Sequence, residues 1–406
     1  MPVSPFACQI RNQSYIVLDS FQLESGMTLD QPPVAYKTWG KLNAAGTNVI
    51  VICHALSGSA DVEDWWGELL GPGRPFNTSK FFVFCGNVLG SPYGTASPCT
   101  INPATGQKYG PTFPLTTVRD DVRLHRQVLD RLGVRQVMYC IGGSMGGMQV
   151  LEWALCFGPT YIQHIVPLAT LAVYLHGGLA GTRFSDRQFT LTPTMSPNSG
   201  LAAARMMAIM TYRTRGSFED RFGRQTMPKL ESEAPVVSKA EMEHNEGSQF
   251  RLHSMTKRPQ SGSISSRNES DLSVYSTQSY LRYQGDKFVA RFDANCYITI
   301  TRKLDNHDIA FGRGDYSSAL ASITQKGLVI GIESDVLFTV EDQRALAYGM
   351  PNAEVVIVPS KEGHDGFLLE LETIRKLLYQ FIQPPTLPLD ILCDVEKIPP
   401  QHLGLI

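Results

Sequence analysis

A chain of 406 residues with 43% hydrophobic content can bury a sizeable core, as one large domain with an insertion or as two domains. Its formal net charge of −2 gives no grip on nucleic acid or an anionic membrane surface, and no apolar run approaches the roughly 18 residues that span a bilayer. The start, Met1-Pro2-Val3-Ser4-Pro5, lacks the basic and apolar regions of a secretory signal. The eight cysteines are scattered without a C-x-x-C pair, and Cys53, Cys85 and Cys140 close apolar runs. They read as reduced core thiols of a cytoplasmic protein, against both a disulfide framework and a metal site.

Taken in chain order, the first clear element is Asn48-Val49-Ile50-Val51-Ile52-Cys53. This β-branched run, apolar on both faces, is the pattern of a strand inside a parallel sheet. It runs into a small-residue loop, His54 to Ala60. Lys80 to Cys85 is a second such strand, and the Gly-, Pro-, Ser- and Thr-rich residues 87–112 read as a long surface loop. A helix follows, with Thr117 as N-cap and Asp120 three residues on. Its apolar face carries Val118, Val122, Leu129 and Leu132, and Gly133 ends it.

Val134 to Ile141 predicts a strand that stops at Gly142-Gly143-Ser144-Met145-Gly146-Gly147. A helical pattern resumes at once with Met148, Leu151, Ala154 and Leu155. Strand, sharp glycine turn, serine and helix is the context that gives a G-x-S-x-G match its meaning. Ile162 to Leu168 is the next strand. Strands alternating with helices imply an α/β fold with a mainly parallel sheet and helices on both faces.

The alternation breaks between about 171 and 290, where residues 200–215 read as helix. The polar tract 228–277 holds too few large apolar residues to offset the entropy of ordering, and is expected to be partly disordered. Strands return at Gly327–Ile332 and Ala353–Val358, a last helix runs from about Gly366 to Ile382, and the proline-rich tail from Pro384 reads as an extended strap. The expected division is a core in two parts, 1–170 and 291–383, a helical lid insertion at 171–290, and a C-terminal extension at 384–406.

Ligands of an open parallel sheet bind beyond the carboxyl ends of its strands. Glu333-Ser334-Asp335 follows one late strand, and Lys361-Glu362-Gly363-His364-Asp365 follows the last. Ser144, Asp335, His364 is the chain order of α/β-hydrolase triads. His364 would take the serine proton, and Asp335 would fix the imidazole tautomer. Glu333 and Asp308 are the alternative acids, and Asp335 could instead be a helix cap. The Met145 N–H would be one oxyanion donor, and the Leu56 N–H the other. His54 reads as structural.

With these residues in view, the chain resembles the homoserine O-acetyltransferase family, acyltransferases on the α/β-hydrolase fold. The resemblance covers roughly residues 10–385 and rests on runs such as Cys53-His54-Ala55-Leu56-Ser57-Gly58, Gly142 to Gln149, Gly200-Leu201-Ala202-Ala203-Ala204-Arg205-Met206, Arg291-Phe292-Asp293-Ala294 and Gly363-His364-Asp365-Gly366-Phe367. It implies that Arg205 and Asp365 bind the substrate, with the guanidinium on a carboxylate and the carboxylate on an ammonium. It further implies acetyl-CoA as the acyl donor, with no permanently bound cofactor, no metal and a homodimer. The acceptor would be L-homoserine, with L-serine, a deacetylcephalosporin C-like alcohol, a succinyl donor or an esterase as alternatives. One departure is a short stretch, Tyr174 to Gly181, where the family carries a longer helical lid over the acyl channel. A shortened lid predicts a wider mouth, more hydrolysis and room for a larger acceptor.

Overall fold

The computed structural model describes residues 4–173, 197–225 and 275–382. The stretch Tyr174 to Gly181, most of the polar tract 228–277 and the tail from Pro384 lie outside them.

Eight strands form one sheet. In chain order they are β1 (Ser14–Val17), β4 (Pro33–Trp39), β5 (Val49–Cys53), β6 (Phe82–Gly86), β7 (Val137–Gly143), β8 (Ile162–Leu168), β9 (Lys326–Ile332) and β10 (Ala353–Val358). β2 (Ser20–Gln22) and β3 (Thr28–Asp30) pair separately as a small antiparallel ribbon. The order across the large sheet is β1-β4-β6-β5-β7-β8-β9-β10. From β6 to β10 every pairing is parallel, whereas β4 lies antiparallel to both β1 and β6. The sheet is mostly parallel, as expected. Its antiparallel edge was not read from the sequence: β1 is only four residues long and largely exposed, and β4 opens on a proline and carries Lys37 inside its run, so neither shows an unbroken apolar run.

Alternation along the strands divides the core into two layers. Val49, Val51 and Cys53 point to one face, while Ile50 and Ile52 point to the other. The first face is covered by α2 (Val118–Arg131) and α3 (Met145–Tyr161), and by α9 (Val340–Gly349) through Leu346. The second is covered by α1 (Val62–Trp66) through Trp66 and by α11 (Leu371–Ile382) through Ile374, Leu377 and Leu378. α2 begins with the full capping box of Thr117 and Asp120, as predicted.

Between β8 and β9 the chain supplies α4 (Asn198–Tyr212), α5 (Arg215–Arg221), α6 (Ser276–Arg291), α7 (Ala294–Asp305) and α8 (Tyr316–Ala321). α4 and α6 pack together, with the Gly285 backbone against Ala202. Helical structure in this connection extends past residue 291, up to the start of β9.

Two local expectations need correction, and one helix carries a break of its own. The final helix is broken at Glu370 (φ −83°, ψ 44°), giving α10 (Gly366–Leu369) and α11. α3 is interrupted at Gly158 (φ 64°, ψ 178°), just before Pro159, whose ring cannot continue a helix. Residues 87–112 are irregular, but 87–99 are not surface: nearly all are buried. Their backbone groups are satisfied from inside. The His125 Nε2–H donates to the Asn87 carbonyl (3.0 Å), the Val88 N–H donates to His54 Nε2 (3.2 Å), and the Leu89 N–H donates to Asp121 Oδ1 (2.9 Å). The Lys303 Nζ, from α7, donates to the Leu89 carbonyl (2.8 Å).

Candidate active site

Ser144 sits between the end of β7 and the start of α3 with φ 59° and ψ −125°, a backbone position that costs an L-residue energy. The surroundings hold it there. The Ser144 N–H donates to the Leu168 carbonyl (2.9 Å), and its own carbonyl accepts from Thr170 Oγ1 (2.8 Å). The turn works only with backbone against backbone: a Cβ on Gly146 would lie 2.1 Å from the Cys53 carbonyl oxygen, and one on Gly142 would lie 2.5 Å from the Gly146 oxygen. A strained serine at such a tip presents its hydroxyl in front of a helix N-terminus.

His364 follows β10 and is buried. Its Nδ1 lies 2.7 Å from Asp335 Oδ2. A carboxylate can only accept, so Nδ1 carries the proton and Nε2 is left as the basic atom. The ring is wedged between Phe338 (centroids 4.9 Å apart) and Phe367 (5.3 Å). Asp335 does both things the sequence allowed. Its Oδ1 caps the turn that follows, accepting from the Leu337 and Phe338 N–H groups (2.9 and 3.0 Å), while Oδ2 takes the histidine. The alternative acids lie elsewhere: Glu333 is exposed, and Asp308 Oδ1 accepts from the Ala310 N–H beside a different cavity.

Ser144 and His364 line one cavity of about 130 Å³ together with Leu56, Arg205, Tyr212, Tyr297, Phe338 and Asp365. Leu56 is among its lining residues, and Met145 is the first residue of α3, buried next to the serine. The Arg205 guanidinium lies over the rings of Tyr212 (5.5 Å) and Phe288 (5.2 Å) and forms no ion pair among the described residues. Stacking of this kind orients the plane without neutralising the charge. Asp365 faces the same cavity. Burial pushes its carboxyl above the usual range, and His364, Arg213 and Arg205 pull it back.

His54 is structural, as read. Its Nδ1 lies 2.8 Å from the Ala55 carbonyl and its Nε2 accepts from Val88, so it is neutral, and burial lowers its pKa to about 4. Among the described residues, Cys99, Asp293 and Cys296 bring potential metal-ligand atoms within 4.8 Å of one another. The Asp293 carboxylate is engaged there as the N-cap of α7, accepting from the Cys296 N–H (3.0 Å). Sequence reasoning missed Tyr212, whose buried hydroxyl has no hydrogen-bond partner among the described residues, and Arg213, which meets Asp365 from behind. Neither belongs to a local motif. Their signal is only their position, seven and eight residues after Arg205, at the last residue of its helix and just past it.

The sheet, the serine turn and the histidine–aspartate pair define an enzyme of the α/β-hydrolase fold, and the family profile for that fold matches residues 48–371. The structure of esterase E22 superposes with a TM-score of 0.74 at 23% identity, covering 92% of this chain and 100% of that one; it shares the fold. Sequence similarity goes further. The homoserine O-acetyltransferase of Ascobolus immersus is 43% identical over 94% of this chain and 89% of its own length. That of Saccharomyces cerevisiae is 43% identical over 94% of this chain and 88% of its own length. The chain belongs to the homoserine O-acetyltransferase family.

Proposed function

We propose that the protein moves an acetyl group from acetyl-CoA to the hydroxyl of L-homoserine in two steps, through an acetyl-serine. Ser144 Oγ attacks the thioester carbonyl while His364 Nε2 takes its proton. The oxyanion is met by the Met145 and Leu56 N–H groups. The carbon–sulfur bond breaks, and the proton passes from His364 to the departing thiolate of coenzyme A. In the second step His364 takes the proton of the acceptor hydroxyl, whose oxygen attacks the acetyl carbonyl. The ester bond to Ser144 breaks, and Ser144 Oγ recovers its proton. Asp335 keeps the imidazole in the tautomer that both steps need and stabilises its cation. The donor is a substrate, and no permanently bound cofactor takes part. The product is an activated amino acid for methionine biosynthesis, made in the cytoplasm by a homodimer.

The observation that carries this reading is the Arg205 guanidinium, which forms no ion pair among the described residues, in the cavity of Ser144 and His364, with Asp365 lining that cavity too. An α-amino acid offers the complementary carboxylate and ammonium. Two fixed opposite charges have no use in the attack of water, which counts against an esterase.

The test follows thiol release from acetyl-CoA with no acceptor, and with L-homoserine, L-serine or a bulkier amino-alcohol. Release should depend on an amino-alcohol acceptor and be fastest with L-homoserine. Equal consumption of acetyl-CoA with and without acceptor would overturn the reading in favour of a hydrolase. Arg205→Ala and Asp365→Asn should weaken the acceptor step about tenfold to a hundredfold while acetyl-enzyme still forms.

A further inference from the structure

The Asp365 carboxylate has a second cation behind it. Arg213 follows α4, and its side chain is only 9% exposed. Its Nη1 lies 3.5 Å from Asp365 Oδ2. Its Nη2 lies 2.5 Å from Glu362 Oε2 and donates to Ser217 Oγ (2.6 Å), while the Ser217 hydroxyl donates to Glu362 Oε2 (2.7 Å). Glu362 and Asp365 stand on either side of Gly363-His364, so one guanidinium bridges both ends of the turn that carries the base. The main chain repeats the grip. Gly363 has φ +66°, and a Cβ there would lie 2.5 Å from the Tyr212 carbonyl oxygen. Thr214 Oγ1 donates to the Lys361 carbonyl.

The two contacts of Arg213 differ in kind. The one to Glu362 is short and reinforced by Ser217; the one to Asp365 is long. A tight fork on Asp365 would neutralise it and turn its oxygens away from the cavity. A guanidinium anchored on Glu362 keeps its positive field on Asp365 while leaving that carboxylate able to accept another cation.

We propose that Arg213 is a positioning residue that holds Asp365 in place as an anion for the acceptor's ammonium group, without touching the acceptor itself. This rests on the reading of Asp365 as the ammonium site. Among the described residues, the other charged or titratable groups around Asp365 are His364 on its own turn and Arg205 and Tyr212 on α4. Asp335 acts on it only through His364, and Glu362 only through Arg213. With Arg213 gone, burial dominates, and the Asp365 carboxyl holds its proton to higher pH. The sign follows: the acceptor KM of a charge-deleted variant should worsen most on the acid side and recover as pH rises.

The test uses the full chain with Arg213→Gln, Arg213→Lys and Glu362→Gln. Acetylation of Ser144 by acetyl-CoA alone is read by intact mass, and acceptor KM and kcat are measured across pH. In Arg213→Gln the acceptor KM should rise about tenfold or more, with acetylation changed by about threefold or less and the acid limb of 1/KM moved to higher pH. Arg213→Lys should recover part of the loss, since it restores charge without the fork, and Glu362→Gln should show a weaker version of the same defect. An unchanged acceptor KM in a wild-type background that acetylates normally overturns the proposal alone. So does an equal fall in both half-reactions with a lowered Tm, which would make Arg213 a structural brace. A wild-type enzyme that takes up no acetyl group overturns the transfer reading, and this proposal with it.

Discussion

At the scale of single residues, the serine turn concentrates both the chemistry and the strain. Ser144→Ala removes one oxygen at a turn held by backbone bonds, so it should fold normally, take no acetyl group and lose turnover by about 10⁴-fold or more. Intact-mass analysis after incubation with acetyl-CoA checks this, and an adduct persisting in the variant would place the nucleophile elsewhere. Gly146 is the opposite case, a position where function depends on having no side chain. Gly146→Ala drives a Cβ into the Cys53 carbonyl, and the expected loss is about 3 kcal/mol by urea titration, or failure to fold. Gly133, with φ +85° and nothing within 4 Å of its missing Cβ, is the control: alanine there costs only the backbone strain, about 1–2 kcal/mol.

At the scale of elements, the buried loop after β6 depends on one ion pair. Lys303 Nζ reaches both oxygens of Asp121 (2.8 and 2.6 Å), and both side chains are fully buried. The pair joins α7, in the connection between β8 and β9, to α2 in the core, and closes around both backbone groups of Leu89. Burial alone pushes Asp121 up, and Lys303 counters it. Lys303→Met leaves that carboxyl uncompensated, with an expected loss of roughly 3–5 kcal/mol. Adding Asp121→Asn removes the stranded charge and keeps an acceptor for the Leu89 N–H, so the double variant should be more stable than the single one. Denaturant midpoints of the two decide it. The sequence showed a glycine- and proline-rich stretch here and suggested a surface loop. Composition does not reveal that a lysine about two hundred positions away satisfies its carbonyl.

At the scale of the whole molecule, three histidines among the described residues are fully buried and held neutral. Burial lowers His54, His125 and His307 to about 4 each, from an ordinary 6.5. The unfolded chain binds protons on these groups where the folded chain does not, so stability is complete above about pH 6.5 and falls as pH drops towards 4. Each contributes up to about 3 kcal/mol over that window. Urea midpoints should decline steeply between these limits, and His125→Gln should flatten the slope. A profile flat to pH 4 would mean that the three are protonated in the folded state.

Much of this protein was legible in one dimension. Strand runs apolar on both faces, a serine between close-spaced glycines, and the order Ser144, Asp335, His364 are local or ordinal signals. They survive in sequence because sheet pleat, turn sterics and chain order act over a few residues, or over succession along the chain. The sequence also determined the N-terminal boundary of α2, since Thr117 and Asp120 cap each other within one turn. Other facts were decided only by the tertiary structure. Asp335 was separated from Glu333 and Asp308 by which carboxylate meets a ring 29 positions away. Arg205 gained its meaning from two rings that orient it and from the absence of an ion pair among the described residues. Arg213 gained its meaning from two acids more than a hundred positions later, on either side of the base. Electrostatic roles depend on distance, burial and the neighbours that share a charge, and folding sets all three by bringing together residues that no local pattern connects.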